Sequence, residues 1–209
     1  YPAQPLAGEG IGREPDAAFA AASAEFAANL LKHAADPGEN AVVSPYSVLI
    51  ALAMTANGAS GETRTQMETV LGLSVAQLNA YLLACGQKNT NELNAANAIW
   101  LREDYPVSED FLQCSRDYYG AEVTSAAFNS DTRDRINDWV NYQTRGMIEK
   151  ILDDMDPDAV MYLVNALAFQ ASWKHEYPES DARPEVFHGA SGDRQATLMY
   201  SDESYYLHD

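Results

Sequence analysis

Asn40-Ala-Val-Val-Ser44-Pro45-Tyr-Ser47-Val-Leu-Ile-Ala-Leu52-Ala-Met54 is the stretch on which the reading of this chain turns. Asn40 to Val43 reads as a short buried strand. Ser44 then offers a side-chain oxygen to the open N–H groups of a helix start, and Pro45 suits the first helical position, where a missing N–H costs nothing. Val48, Leu49, Leu52 and Met54 carry the helix to Gly58, read as a left-handed C-cap. Capping accounts for Ser44. It leaves Ser47 merely tolerated, a second hydroxyl at the start of an apolar helix.

Upstream, Asp16 to Ala35 has Phe19, Ala22, Phe26 and Leu30 at helical spacing and stops at Pro37-Gly38. Downstream, the pattern predicts helices over Glu62–Leu71, Val75–Gln87 and Ser108–Tyr119, with strands over Leu93–Leu101 and Ala121–Phe128. A further helix begins at Asp131 or Thr132 and runs to Ile151, with Ile136, Val140, Met147, Ile148 and Ile151 on one stripe. Asp153 to Asp158 is an acidic turn. Val160 to Trp173 reads as a long strand, nearly continuous in apolar residues, as expected when both sheet faces are covered. Arg183 to His208 holds two or three shorter strands. Helices come first and strands dominate later, which is an α+β pattern.

Two residues in the long strand stand out. Asn165 breaks an apolar run, and a buried amide is costly unless hydrogen-bonded, so a satisfied structural Asn is the plain reading. Trp173, at the strand's end, taken alone is a core or edge aromatic.

Composition narrows the function classes. Lys plus Arg number 13 and Asp plus Glu 31, a net charge of −18 spread along the chain. Such a field repels phosphate backbones and anionic lipid, which argues against nucleic-acid and membrane-surface partners. The longest apolar run, Met161 to Phe169, is interrupted by Asn165 and too short to span a bilayer. Cys85 and Cys114 allow one bridge by count, but they lie in helical settings and the plain reading is two free thiols packed as small hydrophobes. The start, Tyr1 to Gly10, is rich in Pro and Gly and reads as a tether; a removed signal or lipid anchor before it and a trimmed intracellular start are both open.

Catalytic and cofactor motifs are not apparent. Gly8-x-Gly10-x-Gly12 follows no strand and lacks the third fingerprint glycine. Asp154-x-Asp156-x-Asp158 imitates a calcium loop, but Ala159 and Asn165 stand where Gly and a bidentate Glu are needed. His33, His175, His188 and His208 have no close-spaced metal partners, and no nucleophile elbow exists. These readings point away from an enzyme and call for no cofactor or metal.

Taken together, four blocks resemble the serpin family of serine protease inhibitors. Asn40 to Met54 is similar to the family's Asn, Ser-Pro-x-Ser, Ala-Leu-x-Met series, and continues into Gly58-Ala59-Ser-Gly61-Glu-Thr63-x-x-Gln66-Met67. Ile136-Asn137-Asp138-Trp139-Val140 with Thr144-x-Gly146-x-Ile148 resembles helix F. Leu163-Val164-Asn165-Ala166 with Phe169 and Trp173 resembles the third strand of sheet A. Tyr177 departs mildly, standing where the family more often has Phe. The order and spacing cover nearly all of residues 16 to 200.

The resemblance implies a serpin fold of helices A to F with parts of sheets A, B and C. It divides the chain into a flexible tether, residues 1–15, and a truncated domain, residues 16–209, lacking the C-terminal strands and the reactive-centre loop. It implies a shutter at Ser44, Pro45, Ser47 and Asn165, where strands part to admit that loop, and a breach at Trp173. Helix F, with Ile136, Asn137, Trp139, Val140, Thr144 and Ile148, would cross the front of the sheet and yield on insertion. The implied activity of the whole domain is suicide inhibition of a serine or cysteine protease, or else a non-inhibitory carrier or chaperone role. The fragment alone is expected not to inhibit. Its partners would be the target protease through the missing loop, and the domain's other half or a second copy. Val75–Gln87 lacks the basic stripe of heparin-regulated members, with Lys88 alone at its end, so no heparin activation is expected. An extracellular location is expected, with a cytoplasmic one open.

Overall fold

The computed structural model describes residues 10–36, 38–88, 90, 92–173 and 177–200. The chain divides into two units, residues 1–170 and 171–209.

In the first unit, five helices precede or interleave with the first strands: α1 (Ala17–Ala34), α2 (Pro45–Asn57), α3 (Gly61–Leu71), α4 (Val75–Gly86) and α5 (Glu109–Tyr119). β1 (Leu93–Arg102) is the middle of a three-stranded sheet, parallel to β2 (Glu122–Ala126) and antiparallel to β3 (Met161–Phe169). α6 (Ser130–Gln143) joins β2 to β3.

The alternation of the strands builds two cores. Odd-numbered side chains, Ile99, Leu101, Met161 and Leu163, join the main core with α1, α2, α4 and α5. Even-numbered ones, Ala98, Trp100, Tyr162 and Val164, face Ile136, Trp139 and Val140 of α6. The sheet is thus covered on both sides, as its nearly continuous apolar β3 predicts. α2 is the centre of the main core: Ala53, Met54 and Ala56 are fully buried, as expected for a helix apolar nearly all round.

The caps follow the sequence. Ser44 Oγ accepts the Ser47 N–H at α2, with Pro45 at its first position. Ser74 and Gln77 form a capping box at α4, and Asp16 accepts two N–H groups at α1. Of the expected tether, residues 1–9 lie outside the described residues. Residues 10–16 lie against α4 and α5: the Arg13 N–H bonds Ala80 O at 2.9 Å, and Lys88 pairs with Glu14. A Cβ on Gly10 would stand 2.8 Å from the Tyr118 ring.

Four expectations are corrected. Asn40–Val43 forms no strand and pairs with none among the described residues, and Val42 is 99% exposed. Gly58 ends α2 at φ −86°, right-handed, its N–H bonded to Thr55 O, and the left-handed turn falls instead at Gly61. The helix expected to reach Ile151 ends at Gln143. Arg145 (φ 55°) and Gly146 (φ 80°) turn the chain out, and the Gly146 N–H closes the end on Asn141 O. Finally, β3 stops at Phe169, opposite Leu93, where β1 begins and pairing runs out.

In the second unit, Trp173 is 75% exposed and meets Tyr177 edge-on at 6.2 Å. Tail strands appear as one hairpin, β4 (Arg183–Gly189) with β5 (Gly192–Leu198); residues 201–209 lie outside the described residues. His188 in this hairpin is exposed and pairs with Asp193, and His33 is exposed on α1; His175 and His208 lie outside the described residues.

Candidate functional site

The register of β1 and β3 sets Asn97 directly opposite Asn165, both on the face that α2 covers. The first turn of α2 puts Ser47 beneath them. The Ser47 hydroxyl donates to Asn165 Oδ1, and Asn165 Nδ2 donates to Asn97 Oδ1 at 2.9 Å. Asn97, only 4% exposed, passes its own amide to the Tyr119 carbonyl at 2.8 Å, at the last residue of α5. Asn165 therefore breaks the apolar strand without an orphaned amide, and each buried polar atom in this row has a partner.

Tyr119 extends the row into the helices. Its hydroxyl donates to Asn79 Oδ1 at 2.6 Å. Asn79 of α4 and Asn57 of α2 exchange two amide hydrogen bonds, each 2.9 Å. The Cys114 thiol donates to Asn57 Oδ1 at 3.1 Å, and Asn57 Nδ2 also reaches Ala53 O. Burial drives the Tyr119 phenol far above its ordinary range and raises the Cys114 thiol, so both stay protonated and keep donating. Cys85 and Cys114 are both free and half-buried.

Sequence reasoning reached Ser47 and Asn165, which the fold brings together. It missed Asn57, Asn79, Asn97 and Tyr119. A signal existed: Asn57 and Asn79 fall on the buried stripes of their helices, and Asn97 is in phase with Ile99 and Leu101. Ser44 is exposed and serves the cap; Pro45 stands beside it at the helix start. Trp173 belongs to the second unit.

A second constellation governs α6. Ile136 and Val140 are buried against Trp100 and Val164, with Trp139 packed at their side. Asn137 Oδ1 accepts the N–H groups of Ile151 (2.9 Å) and Leu152 (3.0 Å), while its Nδ2 donates to Leu152 O at 2.8 Å. Thr144, fully buried, donates to Val140 O and accepts the Ile148 N–H at 3.0 Å. Ile148 is thus placed on the returning segment after α6, not on the helix. Asn94 Nδ2 holds Gln143 O at 2.9 Å and ties the end of α6 to β1.

A sequence model of the serpins, serine protease inhibitors, matches residues 21–209. The chain belongs to the serpin family. Corticosteroid-binding globulin of Sus scrofa is 32% identical over 178 residues, covering 78% of this chain and 44% of the relative. Plasminogen activator inhibitor 1 of Bos taurus is 31% identical, covering 86% of this chain and 48% of the relative. A solved loop C-sheet serpin polymer is 40% identical with a TM-score of 0.84, covering 94% of this chain and 55% of that one. The fold is therefore the serpin fold in part: the chain spans about half the length of the curated relatives it matches. Serpins as a family inhibit proteases and are not enzymes.

Proposed function

We propose that this chain is the N-terminal part of an inhibitory serpin, acting on a serine or cysteine protease by suicide-substrate loop insertion. The observation that carries the reading is the hydrogen-bonded row Ser47–Asn165–Asn97 beneath the sheet. Beside the apolar contacts of Met161 and Leu163, short polar side chains hold β3 to α2 through directional bonds. Such contacts can be broken and remade as strands slide, where an interdigitated apolar contact would leave a cavity. Ser44, Pro45, Ser47 and Asn165 are assigned to this shutter and Trp173 to the breach where the loop first enters. α6 and its returning segment form the element that yields. The bond that the protease attacks lies, in this reading, outside the 209 residues. The protease serine forms an acyl-enzyme, and the cleaved loop joins the sheet as a new strand. An extracellular location fits this role. The −18 charge and the single Lys88 beyond α4 speak against nucleic acid, anionic membranes and heparin as partners.

The test is incubation of the full-length protein with a protease panel. A covalent adduct that survives denaturing gels supports inhibition, and these 209 residues alone should give none. The 32% identity to corticosteroid-binding globulin favours a second reading, a serpin that carries a small ligand. No adduct with any protease, together with saturable binding of a corticosteroid, would establish that reading instead.

A further inference from the structure

The polar row does not end at the sheet. Asn57 and Asn79 place two amides inside a mostly apolar interface of α2, α4 and α5, and Asn79 is 7% exposed. A buried polar group contributes little net stability compared with an apolar side chain of the same shape. What it does contribute is direction. The paired amides fix where the Tyr119 hydroxyl sits, at the end of a ring that is 1% exposed. The same residue presents its carbonyl to Asn97 Nδ2. Asn97 then has one free oxygen, and Asn165 Nδ2 fills it.

We propose that Asn57, Asn79 and Tyr119 are positioning residues for sheet opening: they set the barrier to loop insertion by holding Asn97 where it engages Asn165. The proposal rests on the reading that β3 shifts over α2 during insertion. Sliding the sheet breaks the Ser47–Asn165 bond first. Whether Asn165 then finds a replacement partner depends on Asn97, whose amide is anchored from the helical side. A Tyr119 that has lost its hydroxyl anchor lets Asn97 follow Asn165, and the strands part more easily. The helical layer thus communicates with the sheet through four side chains and one carbonyl, a contiguous set whose coupling can be measured.

The experiment is a double-mutant cycle in the full-length protein, combining Tyr119→Phe with Asn165→Ala. Tyr119→Phe keeps the ring and the carbonyl and deletes only the hydroxyl. The readout is the rate at which latent and polymeric forms appear on native gels below the unfolding temperature. Tyr119→Phe should speed conversion about threefold or more in the wild-type background and have little effect once Asn165 is alanine. Asn57→Leu and Asn79→Leu combined with Tyr119→Phe replace both amides and the hydroxyl they hold by apolar groups of similar size, so no hydroxyl is left there without its partner. The triple variant should speed conversion to a similar degree while leaving the denaturation midpoint nearly unchanged. Equal acceleration by Tyr119→Phe in both backgrounds, or none in the wild type, overturns the positioning role and leaves the opening reading intact. If Asn165→Ala itself leaves conversion unchanged, the opening reading fails and takes the proposal with it.

Discussion

Asn137→Ala is the substitution whose effect follows most directly from distances. The side chain makes three hydrogen bonds to the returning segment: two accepted from the Ile151 and Leu152 N–H groups and one donated to Leu152 O. A buried hydrogen bond contributes about 1 kcal/mol net, and a partner left dry costs more than one that regains water. Ile151 is 46% exposed, so its N–H rehydrates and little is lost there. Leu152 is half-buried and packs in the α6 core, so its N–H and carbonyl are partly stranded. The sum is about 2 kcal/mol, below the roughly 3 kcal/mol of three fully buried bonds. Asn137→Asp keeps both acceptor bonds but sets a carboxylate oxygen against Leu152 O, and should cost about as much.

Amide hydrogen exchange reads this locally. Ile151 and Leu152 should be protected in the wild type. In Asn137→Ala they should exchange about thirtyfold faster, because each 1.4 kcal/mol of local opening is about a factor of ten. Amides in β1, whose ladder does not depend on the clamp, serve as the internal reference. If protection at residues 151 and 152 is unchanged, Asn137 does not hold the segment. The apolar contacts of Leu152 and Met155, with Arg133 bonded to Asp153 O, would then suffice to keep the chain against α6.

Two further outcomes follow from other contacts. Thr144→Val keeps the shape of a fully buried side chain but removes the hydroxyl that accepts the Ile148 N–H, and should lower stability by about 1 kcal/mol in denaturant titration. The Asp16 carboxyl is held below the usual range, chiefly by the Tyr81 hydroxyl, then by the Phe19 N–H and by Arg13. A depressed folded-state pKa stabilises above the unfolded value of about 4 and loses that contribution as pH falls through the folded one. Asp16→Asn should therefore be less stable than wild type by a constant margin from pH 6 to 8, and the gap should close below about pH 4.

How much of this was legible in the sequence depends on whether a residue's role is local. Ser44-Pro45 announces a helix start because the cap and the missing N–H act within one turn, and the structure places both there. The nearly continuous apolar run of β3 is local in the same sense, and it made the two-faced burial readable. Where the reading overran, a periodic signal continued past a backbone event. Met147, Ile148 and Ile151 keep the stripe of α6 in spacing, yet the chain has already turned at Arg145 and Gly146. These apolar side chains belong to a segment folded back on Asn137 and Thr144, and they remain 37–50% exposed. The Thr144-x-Gly146 pair carried the stop, since glycine at positive φ ends a helix more decisively than apolar spacing extends one. The row from Ser47 to Asn57 was out of reach for another reason. Asn57 and Asn79, or Asn97 and Asn165, meet only after three helices and two strands have packed, and no local pattern pairs one buried amide with another. What the sequence offered was their phase: each amide sits where its own element turns inward. A polar residue at a buried phase must find a partner, so several such residues in one small domain implied one another before any contact was visible.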